Sequence, residues 1–210
     1  MSDIDKFFRI LTETKEPAYD VETTGLDWKR CNTIGYSVSD GKDAEYIPVR
    51  HTGGGNIDGV DQFECSLSKC ISEHTGRIIG HNIKFDAHFS ENNKINLGNK
   101  VIDTMVMECL LNENRRSYSL ENVSREYKIV PKEGKRLYDH IAQKFGVKAD
   151  RNSMGSFHLL SGTDILAMEY AAGDTLTTKQ LYEAQRKELY KQELDVVADI
   201  ENQLTYVLQK

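Results

Sequence analysis

Two alternating stretches, TIGYSVSD at 33–40 and AEYIPVR at 44–50, meet at an Asp40-Gly41 step. Apolar side chains at every second position give a strand one apolar face, and an Asp-Gly step supplies the backbone that a tight hairpin turn needs. The pair predicts an antiparallel hairpin. Because AYDVETT at 18–24 also reads as a strand, the early chain becomes a three-stranded antiparallel meander. Farther on, RIIGHN and NKVIDT read as short buried strands, each followed by a helical pattern, KFDAHFSENN from about Lys84 and TMVMECLLNE. The expected fold class is α/β, with a mixed central β-sheet of antiparallel meander plus parallel strands, flanked by helices.

Ile4, Phe7, Phe8 and Leu11 fall at helical spacing within residues 2–15, so an amphipathic helix is predicted there, ending before Pro17. Another helical pattern runs from Gln62 to His74. From about Ser117 the chain is mostly helical, with loops around VPKEGK and GVKADRNSMG, a long helix from Thr163 to about Lys191 and a final one over Leu194 to Leu208. Gly53-Gly54-Gly55 lacks the Lys-Ser/Thr of a phosphate-binding P-loop and is read as a flexible connection. No internal repeat breaks the 210 residues, which are expected to form a single domain.

The chain has no apolar run long enough to span a membrane, and its start, MSDIDKFFRILTET, is acidic rather than signal-like, so a cytoplasmic or otherwise intracellular protein is expected. Cys31, Cys65, Cys70 and Cys109 form no CxxC pair and are read as reduced, partly buried thiols. The net charge of −6 makes the chain a poor stand-alone clamp for a polyanion. A nucleic-acid substrate would need a local source of positive charge.

Asp20 and Glu22 lie two apart in the first strand, so they project from one face while Tyr19 and Val21 face the other. Two like charges this close resist joint ionisation unless a cation sits between them. Oxygen ligands would favour magnesium or manganese over zinc. Taken alone, the pair is equally readable as capping and solvated residues. GHNIKFDAHF adds Asp86 at a helix start after a buried strand, with Asn82 and Phe85 just before it. EYAAGDT adds Tyr170 and Asp174, one turn apart on one helix face.

Asp-x-Glu, Asn-x-x-[Phe/Tyr]-Asp and Tyr-x-x-x-Asp in this order resemble the DEDD superfamily of 3′-5′ exonucleases, nearest to the proofreading exonuclease domain of family A DNA polymerases. VIDTM around Asp103 and SLENVSREY around Leu120 extend the likeness over nearly the whole chain. Glu169 stands where the histidine branch has its histidine, whereas Tyr170 matches the tyrosine branch.

The resemblance implies a ribonuclease H-like fold, metal-dependent removal of nucleotides from a single-stranded or frayed DNA 3′ end, and a DNA polymerase domain or subunit as partner. It implies two divalent cations, Mg2+ or Mn2+, with Asp20 bridging both, Glu22 and Asp174 completing one site, and Asp86 helping to retain the second. Tyr170 would orient the attacking water. At the substrate, the backbone of Thr23 would meet the terminal 3′-OH, Leu26 would wedge against the terminal bases, and Asn82 and Phe85 would line the nucleotide pocket. For Leu26 and Phe85 ordinary core packing is the competing reading, and for Asp103 a helix cap is preferred to metal ligation. The histidines His81 and His88, which flank Asp86, are assigned structural or surface roles. The basic segment from Arg115 to Arg151 either steers a strand or forms a solvated helical face.

Two other readings compete. An RNA exonuclease of the ribonuclease D type shares all three motifs, and a non-catalytic scaffold of a polymerase would keep the fold without the chemistry. The C-terminal stretch ELDVVADIENQLTYVLQK resembles the lead-in to a polymerase domain.

Overall fold

The structure is a computed structural model that describes residues 1–129 and 134–209. Helix α1 (Asp3–Glu13) starts with a reciprocal cap in which the Asp5 N–H donates to the Ser2 hydroxyl and the Ser2 N–H donates to the Asp5 carboxylate. It buries Phe7, Ile10 and Leu11. Three strands follow, β1 (Ala18–Thr23), β2 (Thr33–Ser39) and β3 (Ala44–Pro48). At the β2–β3 turn, Gly41 takes φ 93°, and the Asp40 carboxylate accepts the N–H groups of Lys42 and Asp43 at 2.8 and 2.7 Å.

Helix α2 (Val60–Glu73) leads to β4 (Ile78–Gly80) and α3 (Ile83–Asn92), then β5 (Val101–Asp103) runs into α4 (Thr104–Leu111). The sheet has five strands in the order β3-β2-β1-β4-β5. Pairing is antiparallel from β3 through β1 and parallel from β1 through β5. Beyond the sheet lie α5 (Leu120–Glu126), α6 (Gly134–Phe145), a 3-10 segment over Arg151–Leu159, the long α7 (Ile165–Lys191) and α8 (Asp195–Gln209).

Tyr19 and Val21 of β1 enter the main core with Phe7, Phe63, Leu67 and Phe89, so α1, α2 and α3 cover that face. The other face receives α7. Its buried positions Ala167, Ala171, Thr175 and Thr178 form a stripe of small residues that permits close approach to the strands. A second cluster, built on Ile34, Leu137, Ile141, Phe157 and Leu160, ties α6 and the 3-10 segment to α7.

Helix α8 is reversed in polarity. Ala198, Asn202 and Thr205 are buried against β5 and its neighbours, and the Asn202 side chain accepts the Asp103 N–H at 2.6 Å. Val196, Ile200, Leu204, Val207 and Leu208 face outward.

Three expectations change. Much of GVKADRNSMG is not loop, because Asp150 caps a 3-10 segment by accepting the Asn152 N–H at 2.8 Å. Gly53-Gly54-Gly55 is a close backbone joint: a Cβ at Gly53 would overlap the Leu159 and Leu160 carbonyls, and the Gly162 N–H donates to Gly54. Of the cysteines, Cys31 and Cys70 are half-buried, but Cys65 and Cys109 are exposed, and none is in a disulfide. The expected loop at VPKEGK falls mostly on residues 130–133, outside the described residues. No described helix is long and apolar enough to cross a membrane.

Candidate active site

Asp20 pairs across the ladder with Ser37, and Glu22 with Gly35. A register irregularity between Glu22 and Thr23 then bends the end of β1. Both carboxylates project toward α7. From that helix, Asp174 meets them: one oxygen from each of Asp20, Glu22 and Asp174 lies within 4.8 Å of the others, and all three residues are half-buried. Tyr170, one turn earlier, enters the same region, with its ring 6.0 Å from that of Phe157.

Asp86 stands beside β1, outside this trio. The registered pairing of β1 with β4 is at Ala18 and Ile79, and β4 ends one residue later at Gly80. That leaves the Val21 N–H in need of an acceptor, which Asp86 supplies at 3.0 Å from the first turn of α3. Burial pushes the Asp86 carboxyl well above the usual carboxylate range, the Val21 N–H lowers it, and Asp103 and Glu22 raise it further. Asp86 is thus not one of the three clustered ligands, though it stands against the strand that carries two of them.

Asp103 is the cap expected of it. It accepts the Met105 N–H at 2.9 Å and also the N–H groups of Asn82 and Ile83, at 2.8 and 3.1 Å. These bonds hold Asn82 in a left-handed conformation, φ 64°, with its side chain exposed at the mouth of the β4–α3 junction. His81 bridges Thr104 and the Tyr118 carbonyl, both at 2.8 Å, and His88 stacks on Trp28, so both histidines have structural roles.

Among the substrate residues expected from the motifs, Thr23 ends β1 and its hydroxyl donates to the Gly25 carbonyl at 2.8 Å. Leu26 is 86% exposed, which rules out core packing. Phe85 does the opposite, packing against the main core and lying 4.8 Å from the Phe89 ring.

Some residues of the site carried too faint a signal to be singled out. Gly35, opposite Glu22, has no Cβ because the Tyr46 ring occupies that space. Tyr46 in turn bonds His51 at 2.7 Å, and the His51 Nδ1 lies 3.0 Å from the Leu160 carbonyl. This buried row floors the carboxylate site. The signal was a glycine inside a strand pattern, which marks close approach of another group.

Burial raises the Tyr170 hydroxyl far above the pKa of a free phenol, and Asp174 and Glu22 add to the effect. Tyr170 is therefore a neutral hydrogen-bonding group rather than a base. Tyr138 of α6 is within hydrogen-bonding reach of it.

Three converging carboxylates repel unless compensated, and all their donors are hard oxygens. The donor set fits a divalent cation of the magnesium or manganese kind. A larger cavity, about 750 Å³, opens between α7 and α8, but none of these carboxylates lines it.

Residues 2–190 match the family described as 3′-5′ exonuclease. The chain belongs to the 3′-5′ exonuclease family. Among its relatives, this exonuclease is 28% identical over 202 residues to DNA polymerase DpoZ of Salmonella phage PMBT28, covering 94% of the present chain and 30% of that polymerase. The chain therefore spans about 30% of the length of that relative. Similar solved structures include Brucella melitensis NrnC with bound Mg2+, at TM-score 0.67 and 15% identity, covering 96% of this chain and 86% of that one. Escherichia coli RNase D, an exoribonuclease, aligns at TM-score 0.67 and 14% identity over 98% of this chain and 48% of its own. The fold of this exonuclease is ribonuclease H-like, as the motifs implied.

Proposed function

We propose that this exonuclease domain shortens single-stranded or frayed DNA from the 3′ end, releasing 5′-mononucleotides, and serves proofreading by a DNA polymerase. The observation that carries the reading is the meeting of Asp20, Glu22 and Asp174, remote in sequence, within 4.8 Å on one sheet face. The polymerase relative supports the choice of DNA, and the outward apolar stripe of α8 supports a polymerase module as the neighbour.

Asp20, Glu22 and Asp174 would hold divalent cations, two of Mg2+ or Mn2+, with Asp86 aiding their retention from beside β1. Bound there, such cations supply the Lewis-acid chemistry that activates water and stabilises a leaving oxygen. Tyr170 orients the attacking water through its neutral hydroxyl. The water oxygen joins phosphorus, the P–O3′ bond breaks, and the proton ends on the 3′ oxygen of the shortened strand. Around the end itself, the backbone of Thr23 meets the 3′-OH, exposed Leu26 abuts the terminal bases, and Asn82 and Phe85 border the last nucleotide.

Digestion of matched single-stranded DNA and RNA, each labelled at the 5′ end, tests the substrate. Faster shortening of DNA is expected, and RNA degraded at the higher rate would reassign the substrate to ribonucleotides.

A further inference from the structure

Within the basic segment from Arg115 to Arg151 several cations are already paired, and Arg151 is among those for which the described residues offer no ion pair. Arg115 is buried, with its guanidinium shared between Glu108 and Glu126. Arg125 pairs with Glu121, Lys135 with Asp139, Lys144 with Asp164 and Lys148 with Asp150. Lys132 lies outside the described residues. Arg151 forms no ion pair among the described residues, and its side chain is exposed.

Its position is what matters. A cavity of about 140 Å³ is lined by Arg151 together with Tyr138, Tyr170, Asp174, Thr177 and Glu121, the last already paired with Arg125. Among the described residues lining it, Arg151 is the one cation, and it faces the helix that carries Asp174. Its mount is fixed, since Asp150 caps the 3-10 segment at Asn152 and Phe157 of the same segment is buried. Tyr138 stands between, in reach of the Tyr170 hydroxyl and in the field of the Arg151 guanidinium.

We infer that Arg151 is a substrate contact, its guanidinium taking a backbone phosphate of the bound strand across the cavity it shares with Tyr170 and Asp174. The inference rests on the proposed seating of the strand end at Asp20, Glu22 and Asp174. A planar fork that makes no ion pair among the described residues is suited to two phosphate oxygens, and in a chain of net charge −6 a local cation is what a polyanion requires. The contact carries no base information, so it acts equally on all sequences.

The test is fluorescence anisotropy of a 5′-fluorescein single-stranded oligodeoxynucleotide, titrated at several salt concentrations with calcium in place of magnesium. Arg151→Gln should weaken binding about tenfold and reduce the salt slope by about 0.7, the value for one phosphate contact to a single strand. Arg151→Lys should keep the slope while losing part of the affinity, and the exposed, already paired Lys135→Gln should change neither. In magnesium, Arg151→Gln should raise KM more than it lowers kcat. A wild-type slope in Arg151→Gln, or an equal loss in Lys135→Gln, would overturn the inference. Failure of the exonuclease reading looks different: wild-type protein would then leave the strand intact in magnesium, whatever slope Arg151 gives.

Discussion

At position 35 any side chain beyond hydrogen would overlap the Tyr46 hydroxyl, so the strand opposite Glu22 is held open for an aromatic floor. His51 completes that floor. Burial keeps its imidazole below the ordinary pKa of 6.5, and the Leu160 carbonyl only partly offsets this. In the window beneath pH 6.5 the unfolded chain therefore binds more protons than the folded one. Stability from this group is complete above that pH and is lost as pH falls through the window. Thermal unfolding followed between neutral and mildly acidic pH should show the decline, and His51→Gln should flatten it; an unchanged slope in the variant would place the protonation elsewhere. At Tyr170 the expected loss is kinetic. If Tyr170 orients the attacking water as proposed, Tyr170→Phe should lower kcat by about 10²-fold with little change in unfolding temperature. A wild-type rate would mean that the ring only packs against Phe157.

The elements carry the geometry, and α7 carries most of it. Asp164 caps its start by accepting the Leu166 and Ala167 N–H groups at 3.1 and 3.3 Å. Burial alone would raise the Asp164 carboxyl, but His140, the Ala167 N–H and Lys144 hold it below its ordinary 3.8. Its stabilising contribution is therefore present above pH 3.8 and disappears as pH falls through the lower folded-state value. Asp164→Ala should cost about 1 kcal/mol in denaturant unfolding at neutral pH, and a variant as stable as wild type would show the cap to be idle. On α8 the opposite holds. Ile200→Glu with Leu204→Glu alters outward positions and should leave stability within about 0.5 kcal/mol; a larger loss would show that the stripe packs within this chain. Strands and helices of this kind were legible because alternation, helical spacing, Pro17 and the Asp40-Gly41 step are local signals. The capping of Val21 by Asp86, the overlap of Tyr46 with Gly35 and the 3-10 turn after Asp150 were not, since each depends on where a strand ends or on packing between distant segments. Leu26 and Phe85 show the same limit: one apolar side chain proved exposed and the other packed, and nothing in their neighbours distinguished them.

For the whole molecule, the antiparallel half of the sheet carries Asp20 and Glu22, the helix that follows β4 sets Asp86 beside β1, and α7 crosses the strands to add Tyr170 and Asp174. A chain segment 150 residues downstream thus closes a site that opens in the first strand, which is why three ordered motifs could identify the family although none could alone. The account stands on the trio acting as one cation-dependent centre. The most direct measurement is digestion of a 5′-labelled single DNA strand by wild-type protein and Asp174→Asn, with magnesium and then with chelator. Stepwise shortening from the 3′ end, release of 5′-mononucleotides, arrest by chelator and near-complete loss in the folded variant are predicted. Shortening that persists in chelator, or a variant as active as wild type, would contradict it.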